Sequence, residues 1–330
     1  MSLDIAAILS GAYSSMGNKI RLATVGVAHD YRFGLIPLLI NAAGYSIEWT
    51  TKAECDLLIL GPFTAKEGKR YRWLPKPVRP TIGAIAKYLE RKRQRPLTLF
   101  HTAENIRHDE IAVDFSISFD LGVNDKRHLR FPYWMEFIDW SHEGLKGNTN
   151  PRFGKLLSIP RLMRPLGRDF LNKPRKAALF CSHLREPRKL LYEKISGVIE
   201  VHGFGPYFDS SISTHHSTGY KKKDVLKNFA FNLCPENGLY PGYCTEKIPE
   251  AFAADSLPIT WVDSNVVVDF NPESFINMHP FAWQNFEPVL DLINDEKRLE
   301  KFSCEPLMRE QPTLAEARAF LAEILAQATS

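Results

Sequence analysis

The stretch Phe229–Trp261, FAFNLCPENGLYPGYCTEKIPEAFAADSLPITW, decides the fold. Its apolar opening run is short enough for a buried strand and stops at Glu236-Asn237, where a Gly/Pro-rich loop follows. Thr245-Glu246-Lys247 then opens a helical run, and LPITWV (257–262) reads as a second buried strand. Strand, loop, helix and parallel strand in that order form the repeating unit of an α/β sheet. Outward from it the same alternation recurs. Strand-like KIRLATVGV (19–27), YSIEW (45–49), CDLLILGP (55–62) and PLTLFHT (96–102) fill the first half, with TIGAIAKYLERKR (81–93) reading as a helix. The second half repeats the scheme with KAALFCSH (176–183), a helix from Pro187 to Ser196, and VIEVHGF (198–204). Both halves are therefore predicted to be doubly wound, Rossmann-like units facing a central cleft, with functional residues at the carboxyl ends of the strands. Residues 144–175, rich in Gly, Pro and Arg, read as the connection, which puts the boundary near residue 160: 1–160 and 161–330. LAEARAFLAEILAQA (314–328) gathers Leu314, Ala317, Leu321, Ile324 and Leu325 near one helical face and is predicted to pack on a domain, here assigned to the second.

Composition limits the function classes. At 330 residues, 44% hydrophobic and 24% charged, the chain can bury a full core, and its 12% aromatic content excludes disorder from want of apolar surface. Its apolar runs fall far short of the roughly 20 residues that a spanning helix needs. MSLDIAAILSGAYSSMGNK has neither the positive start nor the long apolar stretch of a secretory signal, which predicts a cytoplasmic protein. Five widely spaced cysteines (Cys55, Cys181, Cys234, Cys244, Cys304) form no CxxC pair and read as free, mostly packed thiols. Adjacent His215 and His216 converge poorly on one ion, so they read as a solvated loop rather than a metal site. The net charge of +4 gives no general attraction to nucleic acid. Positive charge is locally dense in KRYRWLPKPVRP (69–80) and ERKRQRP (90–96), which fits a solvated surface, then an anionic lipid or glycolipid face, and RNA last.

The chemistry is concentrated between Glu236 and Lys247. Thr245 as an N-cap would aim free backbone N–H groups and the positive end of the helix dipole into the cleft, which suits a diphosphate. Lys247 would add a cation, Glu246 an acceptor for sugar hydroxyls on a different side of the helix, and Tyr243 a ring or hydroxyl for a nucleoside. TEK at a helix start is, by itself, a common capping arrangement.

The wider pattern FNLCxEN, YxTEKIxEAF, LPI and FNPESFIN (229–278) resembles the donor-binding motif of the family 10 α1,3-fucosyltransferases of the bacterial branch. HTAENIR (101–107), SISFD (116–120) and HLRFPYW (128–134) are similar to blocks of that family's acceptor domain. The resemblance covers residues 97–278 and implies a GT-B type fold: an acceptor-binding first domain and a GDP-fucose-binding second. It implies inverting transfer of fucose to a hydroxyl of an oligosaccharide or glycolipid, O3 of N-acetylglucosamine or glucose, with no metal required. Tyr243, Glu246, Lys247 and Asn237 fall on donor-binding positions, with Glu236 beside them. Arg188 falls where the family places an arginine on the diphosphate, a role its planar fork suits, with Arg185 as competitor. Ser182 and His183 replace a Ser-Asn pair. Glu104 in TAEN falls on the family's candidate base, with Glu110 and Asp120 as the plainer alternatives. Four positions depart from the pattern: Ala103, Pro235, Cys244 and Val262, which puts donor preference in question. A GT-B transferase using another GDP-sugar or an unusual acceptor is therefore the second reading. A non-catalytic nucleotide- or glycan-binding module is the third, and a nucleic-acid binder the fourth. Relatives decorate lipopolysaccharide or surface glycans from the cytoplasmic side, which implies weak peripheral membrane association at most.

Overall fold

The computed structural model describes residues 18–64, 95–145, 156–209, 222–281 and 285–330. The helix expected at 81–93, most of the basic segments and His215-His216 lie outside the described residues. Two parallel sheets make up the framework. The first runs β2-β1-β3-β4-β5-β6, from β1 (Asn18–Val25), β2 (Tyr45–Trp49), β3 (Leu57–Leu60), β4 (Leu97–His101), β5 (Phe115–Ser118) and β6 (His128–Arg130). The second runs β11-β10-β9-β7-β8, from β7 (Lys176–Phe180), β8 (Glu200–Phe204), β9 (Phe231–Leu233), β10 (Leu257–Thr260) and β11 (Ile276–Asn277). Every strand pair in both sheets is parallel.

The inner strands are buried for the reason that parallel sheets demand, since side chains on both faces are covered and must leave water, whereas the edge strand β2 leaves Ser46, Glu48 and Trp49 exposed. All residues of β5, β9 and β10 are buried. In β3 the pattern alternates, with Leu57 and Ile59 fully buried. The helix Leu35–Ala42 places Leu35, Ile36, Leu39 and Ile40 against the first sheet at spacings of three and four residues.

The last helix, Ala315–Ala328, departs from the expectation. It was assigned to the second unit but lies on the first sheet, where Phe320 meets Phe115 edge-on with ring centroids 5.8 Å apart. Glu143, in the first unit, accepts the Leu314 N–H at 3.1 and 3.2 Å, and Arg318 donates to the Glu143 carbonyl at 2.9 Å. The apolar stripe of the helix was read correctly. A stripe identifies a buried face but not the surface that buries it.

The helix Lys247–Ala253 is fixed at its far end by the connection between the sheets. Arg161 donates to Asp255 Oδ1 at 2.7 Å and to the Phe252 carbonyl at 3.0 Å. Lys173 reaches the carbonyls of Asp255 and Ala254 at 2.5 and 3.3 Å. Cations on the terminal carbonyls suit the negative end of a helix. Asp255, at φ 56°, turns the chain sharply into β10.

Candidate active site

Loops from the carboxyl ends of both sheets enclose a cavity of about 210 Å³. The first unit contributes Asp30, Tyr31, His101, Ala103, Glu104 and Glu136, and the second Asn237, Tyr243, Thr245, Glu246 and Lys247. Two glycines set how closely the walls approach. A side-chain carbon at Gly238 would stand 2.7 Å from the Asn105 amide nitrogen, and one at Gly242, whose φ is +85°, 2.4 Å from the Phe119 carbonyl. The Glu-Asn-Gly loop of one unit thus lies against the Asn105 side chain of the other, which could shift, whereas at Gly242 the obstacle is backbone and the φ is left-handed, so that approach requires glycine.

On the second wall the centre is Glu236, which is fully buried. Its carboxylate accepts from the Thr245 N–H at 2.8 Å, from Thr245 Oγ1 at 2.8 and 2.9 Å, and from Lys247 Nζ at 2.7 Å. Lys247 Nζ also donates to Thr245 Oγ1 at 2.7 Å. Thr245 is therefore not the helix N-cap predicted from sequence. The cap position is Glu246 in helical geometry, without a side-chain cap bond, and the Thr245 hydroxyl goes to Glu236. A buried carboxylate without donors is far costlier than a helix end open to a cleft, so it takes the hydroxyl. Glu236 itself does not line the cavity; it fixes Lys247, which does. Glu246 and Lys247, expected to face apart, line the same cavity.

Burial works against the Lys247 charge, but Glu236 and then Glu246 outweigh it, so the ammonium is held above its ordinary pKa. Burial likewise opposes the Glu246 charge, and Lys247 and Lys222 overcome it, which keeps the carboxyl below its ordinary value. Tyr243 is pushed well up, first by burial and then by Glu236, and so remains a neutral phenol, packed edge-on to Phe119 at 5.0 Å between centroids. Arg188, at the start of the helix Arg188–Ser196, hydrogen-bonds the Asn237 side chain and the His183 carbonyl, the latter at 3.1 Å. Ser182 is half-buried in the loop after β7, and neither it nor Arg188 lines the cavity.

On the first wall Glu104 follows β4, and Thr102 Oγ1 bonds both its N–H and its carbonyl at 3.0 Å. The two plainer alternatives are engaged elsewhere. Glu110 accepts the Arg107 N–H at 3.0 Å. Asp120 accepts from Ser118 Oγ at 2.6 Å, from the His108 N–H at 2.9 Å and from Arg107 Nε. Burial opposes the Asp120 charge, and those donors overcome it and hold its carboxyl below the usual range. Arg107 also sits over the Tyr240 ring, 3.4 Å from its centroid, which ties the loop across the cleft.

Sequence reasoning missed a hydrogen-bonded chain on this wall. His101 Nδ1 meets Tyr31 Oη at 2.9 Å, and His101 Nε2 meets Glu136 Oε1 at 3.2 Å. The signal lay in HTAEN, whose first residue was read only as part of a matching block, while Tyr31 and Glu136 are about 70 and 35 residues away in sequence. Of the four departures from the family pattern, only Ala103 lines the cavity. Pro235, Cys244 and Val262 are buried, and Asn277 Nδ2 donates to the Val262 carbonyl at 2.9 Å. Among the described residues no group of His, Cys, Asp and Glu is placed to hold a metal ion, and no helix is long and apolar enough to cross a membrane.

Two α/β units, each built on a parallel sheet and meeting across a cleft lined by strand-end loops, have the architecture of the GT-B class of α/β fold. Residues 170–302 match the glycosyltransferase family 10 (fucosyltransferase) C-terminal domain, and residues 86–137 the alpha-(1,3)-fucosyltransferase FucT N-terminal domain. The chain belongs to glycosyltransferase family 10. It is 32% identical over 233 residues to the alpha-(1,3)-fucosyltransferase FucT of Helicobacter pylori, a match covering 64% of this chain and 46% of that protein, so it spans about half that relative's length. The fold is that of an α1,3-fucosyltransferase crystallised with GDP-fucose, at a TM-score of 0.63 and 21% identity, covering 95% of this chain and 93% of that one. A structure titled α1,3-fucosyltransferase with GDP gives a TM-score of 0.62 at 21% identity, covering 96% and 92%.

Proposed function

We propose that this chain transfers L-fucose from GDP-fucose, with inversion, to a hydroxyl of an oligosaccharide or glycolipid, O3 of N-acetylglucosamine or glucose. The observation that carries the reading is the opposition of Glu104 to Asn237, Tyr243, Glu246 and Lys247 across one cleft in a family 10 chain. In this reading the acceptor oxygen forms a bond to the anomeric carbon from the Glu104 side while the bond to the diphosphate oxygen breaks on the other. The acceptor proton passes to the Glu104 carboxylate. The charge that develops on departing GDP meets Lys247, already fixed by Glu236 and therefore needing little reorganisation, with Arg188 supplying a second cation nearby. Glu246 accepts hydroxyls of the transferred sugar, and Tyr243 offers a neutral O–H. The reading places the enzyme at the cytoplasmic side of the membrane that bears its acceptors.

GDP release from purified protein tests it, with GDP-fucose, GDP-mannose or UDP-galactose supplied separately, each with and without N-acetyllactosamine. Release stimulated by acceptor from GDP-fucose alone is the expected result, and Glu104→Ala should abolish it while leaving GDP affinity within about twofold. Stimulated release from another donor only would refute the donor assignment, and a Glu104→Ala enzyme that still transfers would refute the base.

A further inference from the structure

The first-unit wall of the cavity is unusual in what it offers a ligand. Its carboxylates are Asp30, Glu104 and Glu136, and among the described residues no lysine or arginine lines that wall. Glu136 and His101 are more than nine-tenths buried, and Asp30 Oδ2 is buried without a hydrogen-bond partner. The histidine sets the proton arrangement. With the Glu136 carboxylate at Nε2, the ring carries its proton there, so Nδ1 accepts from the Tyr31 O–H. Tyr31 then presents oxygen lone pairs to the cavity, as do Asp30 and Glu136. The wall is a set of acceptors held in fixed geometry and short of donors, and a buried acceptor left unmatched is costly. A ligand that supplies several donors and no negative charge satisfies it, and the hydroxyls of an uncharged sugar do so. A carboxylate-bearing sugar meets repulsion from Asp30 and Glu136 at short range, where little water screens it.

We propose that Asp30, Tyr31 and Glu136, held in register by His101 as a positioning residue, form the acceptor subsite and select an uncharged, hydroxyl-rich sugar ring over one bearing a carboxylate. This rests on the transfer reading for its place in the reaction but concerns a different wall of the cleft. It extends the carboxylate on that wall from a single base to a specificity device: the charge that takes a proton at Glu104 is part of a field that excludes anionic rings.

Saccharide binding to the full chain, saturated with GDP, tests the subsite by saturation-transfer NMR with methyl β-D-glucoside and methyl β-D-glucuronide, which differ only in CH₂OH against COO⁻. The wild type is expected to bind the glucoside at least tenfold more tightly. Asp30→Ala and Tyr31→Phe should each weaken the glucoside about tenfold, the loss of one hydrogen bond to a charged or fixed partner. Asp30→Asn, which keeps shape and removes charge, should narrow the ratio between the two sugars, an outcome that a general loss of folding would not give. A wild type that fails to bind the glucoside, that takes both sugars equally, or whose affinity is unmoved by Asp30→Ala and Tyr31→Phe overturns the subsite. GDP titrated into the same samples reports on the donor reading separately: absent GDP affinity in the wild type sinks that reading, while the ratio of the two sugars, then measured without GDP, still judges the acceptor wall.

Discussion

Glu236 has an effect out of proportion to its visibility, since it touches no part of the cavity yet fixes the cation that does. Replacing it with Ala leaves the Lys247 ammonium and the Thr245 hydroxyl to find new partners. Breaking a buried pair of this kind costs about 3 kcal/mol of stability. Because the anions around Lys247 raise its pKa, the stabilisation from that charge is fully present below the ordinary lysine range and fades only as pH climbs above it. The Glu236→Ala loss should therefore be constant between pH 6 and 9, as measured by denaturant unfolding, and GDP affinity should fall about tenfold in titration calorimetry. A GDP affinity unchanged from wild type would mean that Lys247 does not depend on Glu236 for its position. From the sequence, Lys247 and Glu246 could be singled out because type and spacing carry the signal. The division between Glu236 as support and Lys247 as contact could not, because burial is set by how β9 and its following loop pack, which no local pattern states. The thiols were easier: Cys55, Cys181, Cys234 and Cys244 are buried and only Cys304 is exposed, with burial pushing Cys234 up to about 12.

At the scale of elements, the helix Lys247–Ala253 is seven residues long and too short to hold itself. Burial of Ile248, Ala251 and Phe252 holds it in place, and its ends are fixed by Glu236 beneath the first turn and by Arg161 and Lys173 on the last carbonyls. Arg161→Ala removes donors to the Phe252 carbonyl and to Asp255, and also the guanidinium that sits over the Phe252 ring, 4.8 Å from its centroid. About 2 kcal/mol of stability should be lost in chemical denaturation, with GDP affinity reduced although Arg161 is remote from the cavity. Lys in place of Arg161 should recover only part of this, since one ammonium cannot span both acceptors in a planar fork. The strand-helix alternation that placed this helix was legible because β9 and β10 lie in short, mainly apolar runs and the loop after β9 is marked by Gly238, Pro241 and Gly242. Its capping was not. Arg161 and Lys173 lie about 80 to 90 residues earlier, in a stretch whose Gly, Pro and Arg content reads only as a connection.

The whole molecule is held across its cleft by charge as well as by packing. Arg130, the last residue of β6, pairs in two bonds with Asp269 at 3.1 and 2.6 Å, and the Asp269 side chain is 3% exposed. Burial lifts the Asp269 carboxyl above its usual range despite Arg130, which pulls it down. A carboxyl whose folded pKa is raised penalises folding above that pKa and ceases to do so once it is protonated. Arg130→Ala removes the larger part of what opposes the upward push and leaves the Trp134 side chain alone against it. It should therefore cost about 3 kcal/mol at pH 8 and measurably less at pH 5, compared by urea unfolding, and a loss independent of pH would refute the pairing as its source.

The first sheet is also closed by a partner that the ribosome makes late. Phe115 and the surface around β4 and β6 are covered by the helix Ala315–Ala328, nearly 200 residues downstream of β5. The residues that cover this face follow those of the entire second sheet in the chain, so the first unit cannot bury it from its own segment. The two units are therefore interdependent: the core of the one is completed by a helix that comes after the other.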